Sequence, residues 1–261
     1  AAYPQDGTDA ESLLKRVDIA RQDAMQLPGR LQVYQEGRDS AYRRQVELIR
    51  DLRHVHQQGG LLLHYQPKLD LRSNRVLQAE ALLRWEHPQY GMVSPGEFIP
   101  LAERTGSISL LTGWVISEGV RQLAEWSGRG IHLQVSLNIS ADDLINLDLR
   151  ERVAQLLEQY RVDPQQLVFE ITESAVMQDQ SRSLQVLEDL RRLGIGLSVD
   201  DFGTGYSSLS QLKRMPVQEL KIDQSFVRDL DEHSEDAVIV RSTIEMSHSL
   251  GLKVVAEGVE Y

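Results

Sequence analysis

LVFEITESAVMQDQSRSLQVLEDLRRLGIGLSVDD, residues 167–201, is the stretch that decides the fold. It begins and ends with a short apolar segment, residues 167–172 and residues 196–201, and both segments are rich in the residues typical of strands. Between them, residues 184–193 place leucines at the three-residue spacing of an amphipathic helix. Two strands joined by a helix in this way are expected to lie parallel in one sheet.

The same alternation extends from this unit in both directions. Further strand candidates are LLLHYQPKL (61–69), VLQAEALLRW (76–85), IHLQVSLNI (131–139), ELKID (219–223) and KVVAEGV (253–259). Helical patterns lie between most of the strands, over 112–126, 149–160 and 237–250. From about Leu61 onward, the chain therefore predicts a mostly parallel sheet with helices on its outer face.

Nearly all of the predicted strands end in polar residues. These residues are Glu80, Asn138, Glu170, Asp200, Asp201, Asp223 and Glu257. The intervals from Asn138 to Glu170 and from Glu170 to Asp200 are 32 and 30 residues, close to the roughly 31 expected for eight strand–helix units. An open doubly wound sheet would place its site at one switch point, and the chain has no glycine-rich phosphate loop to mark one. We therefore predict an α/β fold, a TIM-like (β/α)8 barrel.

The first sixty residues have a different pattern. Residues 9–25 are helical in periodicity, Leu31 to Tyr34 could form a short strand, and residues 40–56 are helical again. These elements are too few for a domain of their own. We interpret residues 1–39 as the end of another domain, residues 40–60 as a linker helix and residues 61–261 as the barrel.

Charge and composition exclude several classes of protein. The net charge of −11 disfavours binding to a DNA or RNA polymer, so a phosphorylated ligand would need cations at its site. The chain has no cysteine, which excludes thiolate ligands and fits a cytoplasmic location. No apolar run approaches the roughly 20 residues that cross a bilayer, so we expect no membrane contact by this segment. Any membrane anchor would lie outside it.

The strand-end carboxylates suggest a metal site. Two unit charges about 4 Å apart repel by roughly 4 kcal/mol at an effective dielectric near 20, so such a cluster requires protonation or bound cations. With an amide oxygen from Asn138, the all-oxygen set suits Mg²⁺ or Mn²⁺. The adjacent Asp200 and Asp201 could hold two ions, and Lys221 could steady a hydroxide or a phosphate. A single strand-end carboxylate is more often a helix cap, so this prediction depends on the whole set.

Several motifs carry a resemblance to a known family. EALLRW (80–85) resembles the signature of the EAL family of cyclic di-GMP phosphodiesterases. The resemblance continues in order through YQP (65–67), PGEFIP (95–100), LNIS (137–140), EITE (170–173), DDFGTGYSS (200–208), LKID (220–223) and AEGVE (256–260). Each motif is weak alone, but together they are specific and they span almost all of residues 61–261.

The resemblance implies a role for each matching residue. The metal ligands would be Glu80, Asn138, Glu170, Asp200, Asp201 and Glu257. Glu257 would also be a candidate general base, Lys221 would contact the nucleophilic water, and Glu173 would hold the Asp-Phe-Gly-Thr-Gly loop. The residues that touch the dinucleotide would be Gln66, Leu83, Arg84, Asp223 and Glu260.

The resemblance also implies an activity and its partners. It predicts hydrolysis of cyclic di-GMP to linear pGpG by a two-metal mechanism, in bacterial second-messenger signalling. Two Mg²⁺ or Mn²⁺ ions would support the reaction and Ca²⁺ would inhibit it. A homodimer formed through barrel helices is a further expectation.

The two ends of the chain carry expectations of their own. AYP (2–4), DG (6–7), LL (13–14) and DIA (18–20) resemble the closing strand and helix of a GGDEF, or diguanylate cyclase, domain. The parent protein would then be a GGDEF–EAL tandem. EAL relatives usually continue beyond AEGVE with a last strand, so the resemblance predicts that the barrel is truncated here.

Two other functions remain open at this point. The chain could be an EAL-type receptor that binds cyclic di-GMP without cleaving it, although such relatives typically lose ligands that this chain keeps. It could also be a glycosidase-like barrel with two catalytic carboxylates. That chemistry has no use for Asn138, Lys221 and the paired aspartates in one set.

Overall fold

The computed structural model describes residues 1–25, 31–203, 209–228, 230–231 and 234–259. Its helices are α1 (Ala10–Met25), α2 (Arg38–Leu52), α3 (Val55–Gln58), α4 (Pro95–Arg104), α5 (Ile108–Gly128), α6 (Ala141–Leu144), α7 (Leu149–Tyr160), α8 (Glu173–Gln178), α9 (Gln180–Leu193), α10 (Leu209–Leu212), α11 (Gln224–Val227) and α12 (Glu235–Ser249). A single 3₁₀ turn, Pro164–Gln166, precedes a strand. The strands are β1 (Leu61–Asp70), β2 (Arg75–His87), β3 (Gly91–Val93), β4 (Gln134–Asn138), β5 (Leu167–Thr172), β6 (Gly196–Phe202), β7 (Glu219–Ile222) and β8 (Lys253–Ala256).

The chain divides into two compact units, residues 1–59 with 96–107 and residues 60–95 with 108–261. The first unit is helical and small. Tyr34 packs on Ile19 and Ala20 to form its core, and Arg44 makes two hydrogen bonds of 2.6 and 3.0 Å to Glu97. The short strand expected at residues 31–34 is wrong. The described part of this unit contains no strand to pair with that segment, which instead has no regular structure.

The second unit is built on one sheet whose strand order is β1-β2-β4-β5-β6-β7-β8, with β3 beside β2. From β2 to β8 along this order every pair is parallel, which confirms the predicted mostly parallel sheet. The β1–β2 and β2–β3 pairs are antiparallel, and the sequence interpretation did not include them. The turn between β1 and β2 is too short for the crossover that parallel strands need, so these strands form a hairpin.

The sheet is curled, as in a TIM-like barrel. Strand β1 lies at one end of the strand order, three positions from β5, which in a flat sheet is about 14 Å. The Lys68 ammonium on β1 nevertheless lies 2.6 Å from the Glu170 carboxylate on β5 and 3.6 Å from the Glu219 carboxylate on β7. These contacts require the strands to bend around a common interior. The predicted fold class is therefore confirmed.

The apolar core lies between the sheet and its helices, and the interior of the curl is polar. Phe169 and Ile171 of β5 belong to the core cluster that also takes in residues from α5, α7 and α9. Burial of each such side chain contributes roughly 1.5–3 kcal/mol. Glu170 lies between these two residues, so the alternation of a strand turns its carboxylate to the opposite, inner face. Sequence alternation thus sends apolar side chains outward and charged ones inward.

The elements begin and end at residues suited to those positions. The α9 helix ends at Gly194, whose φ of 101° favours glycine, and its N–H donates to the carbonyls of Leu190 and Arg191. Thr172 ends β5 and caps α8 by accepting a hydrogen bond from the Ala175 N–H. The chain therefore turns sharply after its strands, and residues at the strand ends are held in place. In the part of the chain that the structure describes, no helix is long and apolar enough to span a membrane.

Candidate metal-binding active site

Four carboxylates, from β2, β5, β6 and the segment after β8, meet at one lysine. The Lys221 ammonium on β7 lies 3.0 Å from Glu80 Oε2, 2.7 Å from Glu170 Oε2, 3.1 Å from Asp200 Oδ1 and 2.6 Å from Glu257 Oε1. The lysine side chain is only 1% exposed. We call Lys221, Asp201 and these four carboxylates the acidic mouth. The structure therefore brings together five of the six predicted metal ligands, with Asp201 next to Asp200 in the chain.

The sixth predicted ligand, Asn138, ends β4 and donates a 3.2 Å hydrogen bond to Glu80 Oε1. Glu80 itself corrects the prediction in one respect, because it lies in the middle of β2 and not at its end. The parallel pairing of β2 with β4 stops at Ala81, one residue beyond Glu80, and β2 then continues beside β1 and β3. Glu80 is thus at the end of the parallel part of the sheet, where the other carboxylates lie.

An irregularity in β6 brings the adjacent aspartates to the same place. Neighbouring residues of a regular strand point to opposite faces. Here the pairing of β6 with β7 shifts between Val199 and Phe202, and Asp201 has a φ of 52° in the left-handed region, which aspartate tolerates better than most residues. As a result, one oxygen each from Asp200, Asp201 and Glu257 lie within 4.8 Å of one another.

The carboxylates of the mouth differ in the direction in which their pKa values are shifted. Burial and the neighbouring Glu170 hold the pKa of Glu80 above its usual range. Burial also raises the pKa of Glu257, and burial together with Asp200 and Asp223 raises that of Asp201. These three groups are therefore unfavourable as anions in the metal-free protein.

Glu170 and Lys221 behave in the opposite way. Burial alone would raise the pKa of Glu170, but Lys221 and Lys68 together bring it below its usual value. Burial would likewise lower the pKa of Lys221, but Glu170, Asp200 and Glu80 hold it well above its usual value. The protonated form of Lys221 is therefore favoured, and as an ammonium it donates hydrogen bonds to the carboxylates around it.

The donor set fits divalent metal ions. Among the described residues, the five carboxylates of the mouth face two ammonium groups, that of Lys221 within the mouth and that of Lys68 beneath it, so an excess of negative charge remains. All of the candidate ligand atoms are oxygens, which hard cations such as Mg²⁺ and Mn²⁺ prefer. The site could therefore hold a metal ion, and its oxygen ligands favour a hard ion over a soft one.

Of the predicted dinucleotide contacts, Gln66, Arg84 and Asp223 lie on the elements around the mouth. Leu83 does not, because strand alternation places it on the face of β2 opposite Glu80, where it packs against the apolar core. Gln66 on β1 pairs directly with Glu80, and Arg84 shares the Glu80 face of β2 four residues further on, next to Leu83. Asp223 follows β7 and accepts a 2.9 Å hydrogen bond from the Ser225 N–H, which caps α11. It also shares a side-chain hydrogen bond with Asp201, within the site. Glu260 lies outside the described residues.

Glu173 is the first residue of α8, directly after β5. One of its carboxylate oxygens is buried and has no hydrogen-bond partner among the described residues, and burial raises its pKa. The loop that Glu173 is expected to hold includes residues 204–208, which lie outside the described residues. Its role therefore stays a prediction.

Lys68 also contacts the site, although it is not among the residues predicted from the sequence. Its ammonium lies inside the barrel, beneath the mouth, at 2.6 Å from Glu170 Oε1. A signal for it existed, because Lys68 is two residues from Gln66 on the same strand and must share its face. An inward-facing lysine in a barrel with inward-facing glutamates is expected to pair with one of them.

The fold and the site together define a TIM-like barrel whose active site lies at the carboxyl ends of its parallel strands, where this chain gathers carboxylates that could hold a metal ion. Comparison with known proteins gives the family. The EAL domain family matches residues 49–261, and the chain belongs to it.

Individual relatives agree with this assignment. The chain is 41% identical over its whole length to the bifunctional diguanylate cyclase/cyclic di-GMP phosphodiesterase MucR of Pseudomonas aeruginosa, and it covers 38% of that protein. It is 36% identical over its whole length to the cyclic di-GMP phosphodiesterase PdeR of Escherichia coli, of which it covers 39%. The chain also resembles a solved structure of the PaMucR phosphodiesterase in a c-di-GMP complex, with 44% sequence identity and a TM-score of 0.78. The match covers 82% of this chain and 87% of the PaMucR chain.

Proposed function

We propose that this chain hydrolyses cyclic di-GMP to linear pGpG, as the phosphodiesterase module of a longer bacterial signalling protein. One observation carries the proposal: in an EAL family chain, carboxylates from β2, β5, β6 and the segment after β8 converge on Lys221. Relatives that match the whole chain are named cyclic di-GMP phosphodiesterases, and one solved relative holds the dinucleotide. The chain spans about 38% of the MucR relative, so this activity is proposed for the module.

The proposed cofactor is a pair of Mg²⁺ or Mn²⁺ ions. Asp200, Asp201 and Glu257 would hold one ion, because their oxygens already lie within 4.8 Å of one another. Glu80, Asn138, Glu170 and Asp200 would hold the other. Bound divalent ions would neutralise charge on the phosphate and lower the pKa of a bound water, so that hydroxide would form more readily. Ca²⁺ is expected to inhibit, since it takes longer ligand distances and more ligands than Mg²⁺.

Lys221 would orient the reacting groups. Its ammonium has three N–H donors and lies within 3.1 Å of an oxygen of each of four carboxylates. Because it remains protonated, it can donate a hydrogen bond to the attacking water or to a phosphate oxygen as negative charge develops there.

Glu257 is the proposed general base, in addition to its role as a ligand. Its side chain is 25% exposed, whereas that of Glu170 is fully buried. Glu257 is therefore better placed than Glu170 to accept a proton from water and return it to solvent. Glu173 is proposed to hold the loop that begins at Asp201.

The dinucleotide would lie over the mouth, in contact with Gln66, Arg84, Asp223 and Glu260. We do not retain the predicted contact with Leu83, because its side chain packs against the apolar core. The position of Arg84 suits contact with the dinucleotide because it shares the Glu80 face of β2, where its guanidinium could bind a phosphate oxygen with two hydrogen bonds. The excess negative charge of the mouth would otherwise repel the substrate, which makes the metals necessary for binding as well as for the reaction.

We also propose that residues 1–39 end a GGDEF domain in a cytoplasmic GGDEF–EAL protein, with residues 40–60 as the linker helix to the barrel. The whole chain, including these residues, aligns with the bifunctional cyclase/phosphodiesterase MucR. Dimerisation through barrel helices remains a proposal that sedimentation can test, since a monomer with full activity would contradict it.

The test of the proposed function is turnover of cyclic di-GMP by the purified chain, followed by liquid chromatography. We expect linear pGpG to form with Mg²⁺ or Mn²⁺, and no product in EDTA or with Ca²⁺ alone. The Lys213→Met variant, which changes an exposed lysine away from the mouth, is the control and should keep full activity. A folded chain that binds cyclic di-GMP and two Mn²⁺ ions without cleaving the dinucleotide would identify a receptor instead.

A further inference from the structure

Lys68 lies inside the barrel beneath the acidic mouth. Its side chain is 12% exposed, and its ammonium lies 2.6 Å from Glu170 Oε1, 3.0 Å from Ser136 Oγ and 3.6 Å from Glu219 Oε1. Neither the motifs of the sequence nor the contacts of Lys221 give this lysine a function. It is nevertheless the second cation at the most deeply buried carboxylate of the site.

The two oxygens of Glu170 are held by two different lysines. Lys221 contacts Oε2 at 2.7 Å, and Lys68 contacts Oε1 at 2.6 Å. Lys221 is shared among four carboxylates of the mouth, whereas Lys68 contacts only Glu170 among them in the described residues. Among the carboxylates of the acidic mouth that the structure describes, Glu170 is therefore the one that Lys68 holds.

Lys68 is itself held in place. The Ser136 hydroxyl, fully buried on β4, lies 3.0 Å from the Lys68 ammonium and accepts a 2.7 Å hydrogen bond from the Gln78 amide. Lys68 and Gln78 pair across the β1–β2 ladder. Both side chains thus donate to the same hydroxyl from neighbouring strands, which fixes the position of the ammonium along the barrel axis.

We propose that Lys68 is a positioning residue for the metal site: by holding Glu170 Oε1 from within the barrel, it keeps Oε2 directed into the mouth. Glu170 is a metal ligand only under the proposed function, so the role in metal binding rests on that proposal. A fully buried carboxylate needs a partner for each of its oxygens, and without Lys68 the Oε1 atom would lose its 2.6 Å contact and could turn toward Lys221. A ligand that turns in this way no longer presents an oxygen to a metal.

Two effects of removing Lys68 oppose each other. The loss of a positive charge would draw a divalent ion more tightly, whereas the loss of positioning would weaken its binding. We expect positioning to dominate, because ligands must be held within about 0.5 Å of their binding geometry to be effective. The sign of the change in metal affinity therefore decides between a positioning role and a purely electrostatic one.

The test is Lys68→Met in the full chain, with Mn²⁺ titrated into the metal-free protein by calorimetry. We expect Mn²⁺ to bind at least about tenfold more weakly than to the wild type, which corresponds to about 1.4 kcal/mol. The Mn²⁺ concentration for half-maximal hydrolysis should rise by the same factor, with the KM for cyclic di-GMP at saturating Mn²⁺ unchanged. Unchanged or tighter Mn²⁺ binding would overturn the proposal.

Glu219→Gln is the matched control, since it removes a carboxylate that contacts Lys68 but lies outside the acidic mouth. It should bind Mn²⁺ like the wild type. The double variant Lys68→Met with Glu219→Gln also removes the second carboxylate that faces the lysine, so it leaves one buried carboxylate fewer without a cation and should fold more readily than Lys68→Met alone. It should show the same weakened Mn²⁺ binding, and wild-type affinity in it would contradict the positioning role.

The two proposals fail separately in this experiment. If the wild type binds Mn²⁺ but does not cleave cyclic di-GMP, the proposed function fails while the affinity comparison still tests Lys68. If the wild type cleaves the dinucleotide and the Lys68 variants bind Mn²⁺ equally well, only the positioning role fails.

Discussion

Replacing Lys221 by methionine removes the cation at the centre of the acidic mouth. Its ammonium lies 2.6–3.1 Å from four carboxylates. Each contact corresponds to roughly 5 kcal/mol of Coulomb energy at an effective dielectric near 20, but desolvation and relaxation offset most of it. Breaking a buried pair typically costs about 3–5 kcal/mol, and we expect a loss of that size in the metal-free protein.

The loss should depend on pH in a defined direction. The pKa values of Glu80, Asp201 and Glu257 are already raised in the folded protein, and removing Lys221 raises those of its direct partners further. A group with a raised folded pKa contributes stability below its unfolded pKa and loses that contribution as the pH rises through the folded value. The variant should therefore be closer to wild-type stability in mild acid than in mild alkali.

The assay is urea unfolding of both proteins in EDTA, followed by tryptophan fluorescence at about pH 8 and about pH 5.5. Mn²⁺ should then stabilise the variant more than the wild type, because a divalent ion can neutralise carboxylates that have lost their lysine. Lys213→Met controls for loss of a lysine at an exposed position. Equal stability of wild type and Lys221→Met in EDTA at the higher pH would refute the reasoning.

Two further predictions concern the same site. Gly258→Ala places a Cβ only 2.7 Å from Gln224 Cβ at a φ of 67°, whereas Gly251→Ala, at a φ of 77°, meets nothing within 4 Å. Both variants should melt at lower temperature, but only Gly258→Ala should also lose activity, by about tenfold or more, because it displaces Glu257. Glu80→Gln should lower turnover by about 100-fold or more. It should also raise the urea midpoint of the metal-free protein in mild alkali, because burial and Glu170 make the ionised form of Glu80 unfavourable there. A drop in that midpoint, or loss of activity in Gly251→Ala equal to that in Gly258→Ala, would contradict these expectations.

The sheet could be predicted where strand length and apolar pattern agree. LVFEIT forms β5 over the predicted residues 167–172, and GLSVDD lies within β6. Convergence of Glu170 and Asp200 follows from the same pattern, because the carboxyl ends of neighbouring parallel strands lie at one edge.

Other features required tertiary contacts that a local pattern does not contain. Periodicity would place Asp200 and Asp201 on opposite faces, and only the irregular pairing of β6 brings them together. Glu80 looked like a strand end because the apolar pattern does not show where β2 stops pairing with β4. The number of residues between β1 and β2, in contrast, was available and indicated a hairpin.

The partner of Lys68 could not be predicted from the sequence for a third reason. Its inward direction follows from strand alternation, but its partner does not, because β1 and β5 are far apart both in sequence and in the strand order. Only the curl of the sheet brings the lysine to Glu170. A buried charge that is satisfied across a barrel can therefore be suspected from sequence but not assigned.

The central proposal is that the acidic mouth is a two-metal site that acts on a cyclic dinucleotide. The most direct measurement is anomalous X-ray scattering from crystals of the full chain grown with Mn²⁺ and cyclic di-GMP, with turnover blocked by Glu80→Gln if necessary. We predict a strong Mn²⁺ peak in contact with Asp200, Asp201 and Glu257 and, in the wild type, a second peak at Glu80 and Glu170, with the phosphate of the dinucleotide beside them. A dinucleotide bound elsewhere, or a mouth that holds no Mn²⁺ and keeps all four Lys221 contacts, would contradict the account.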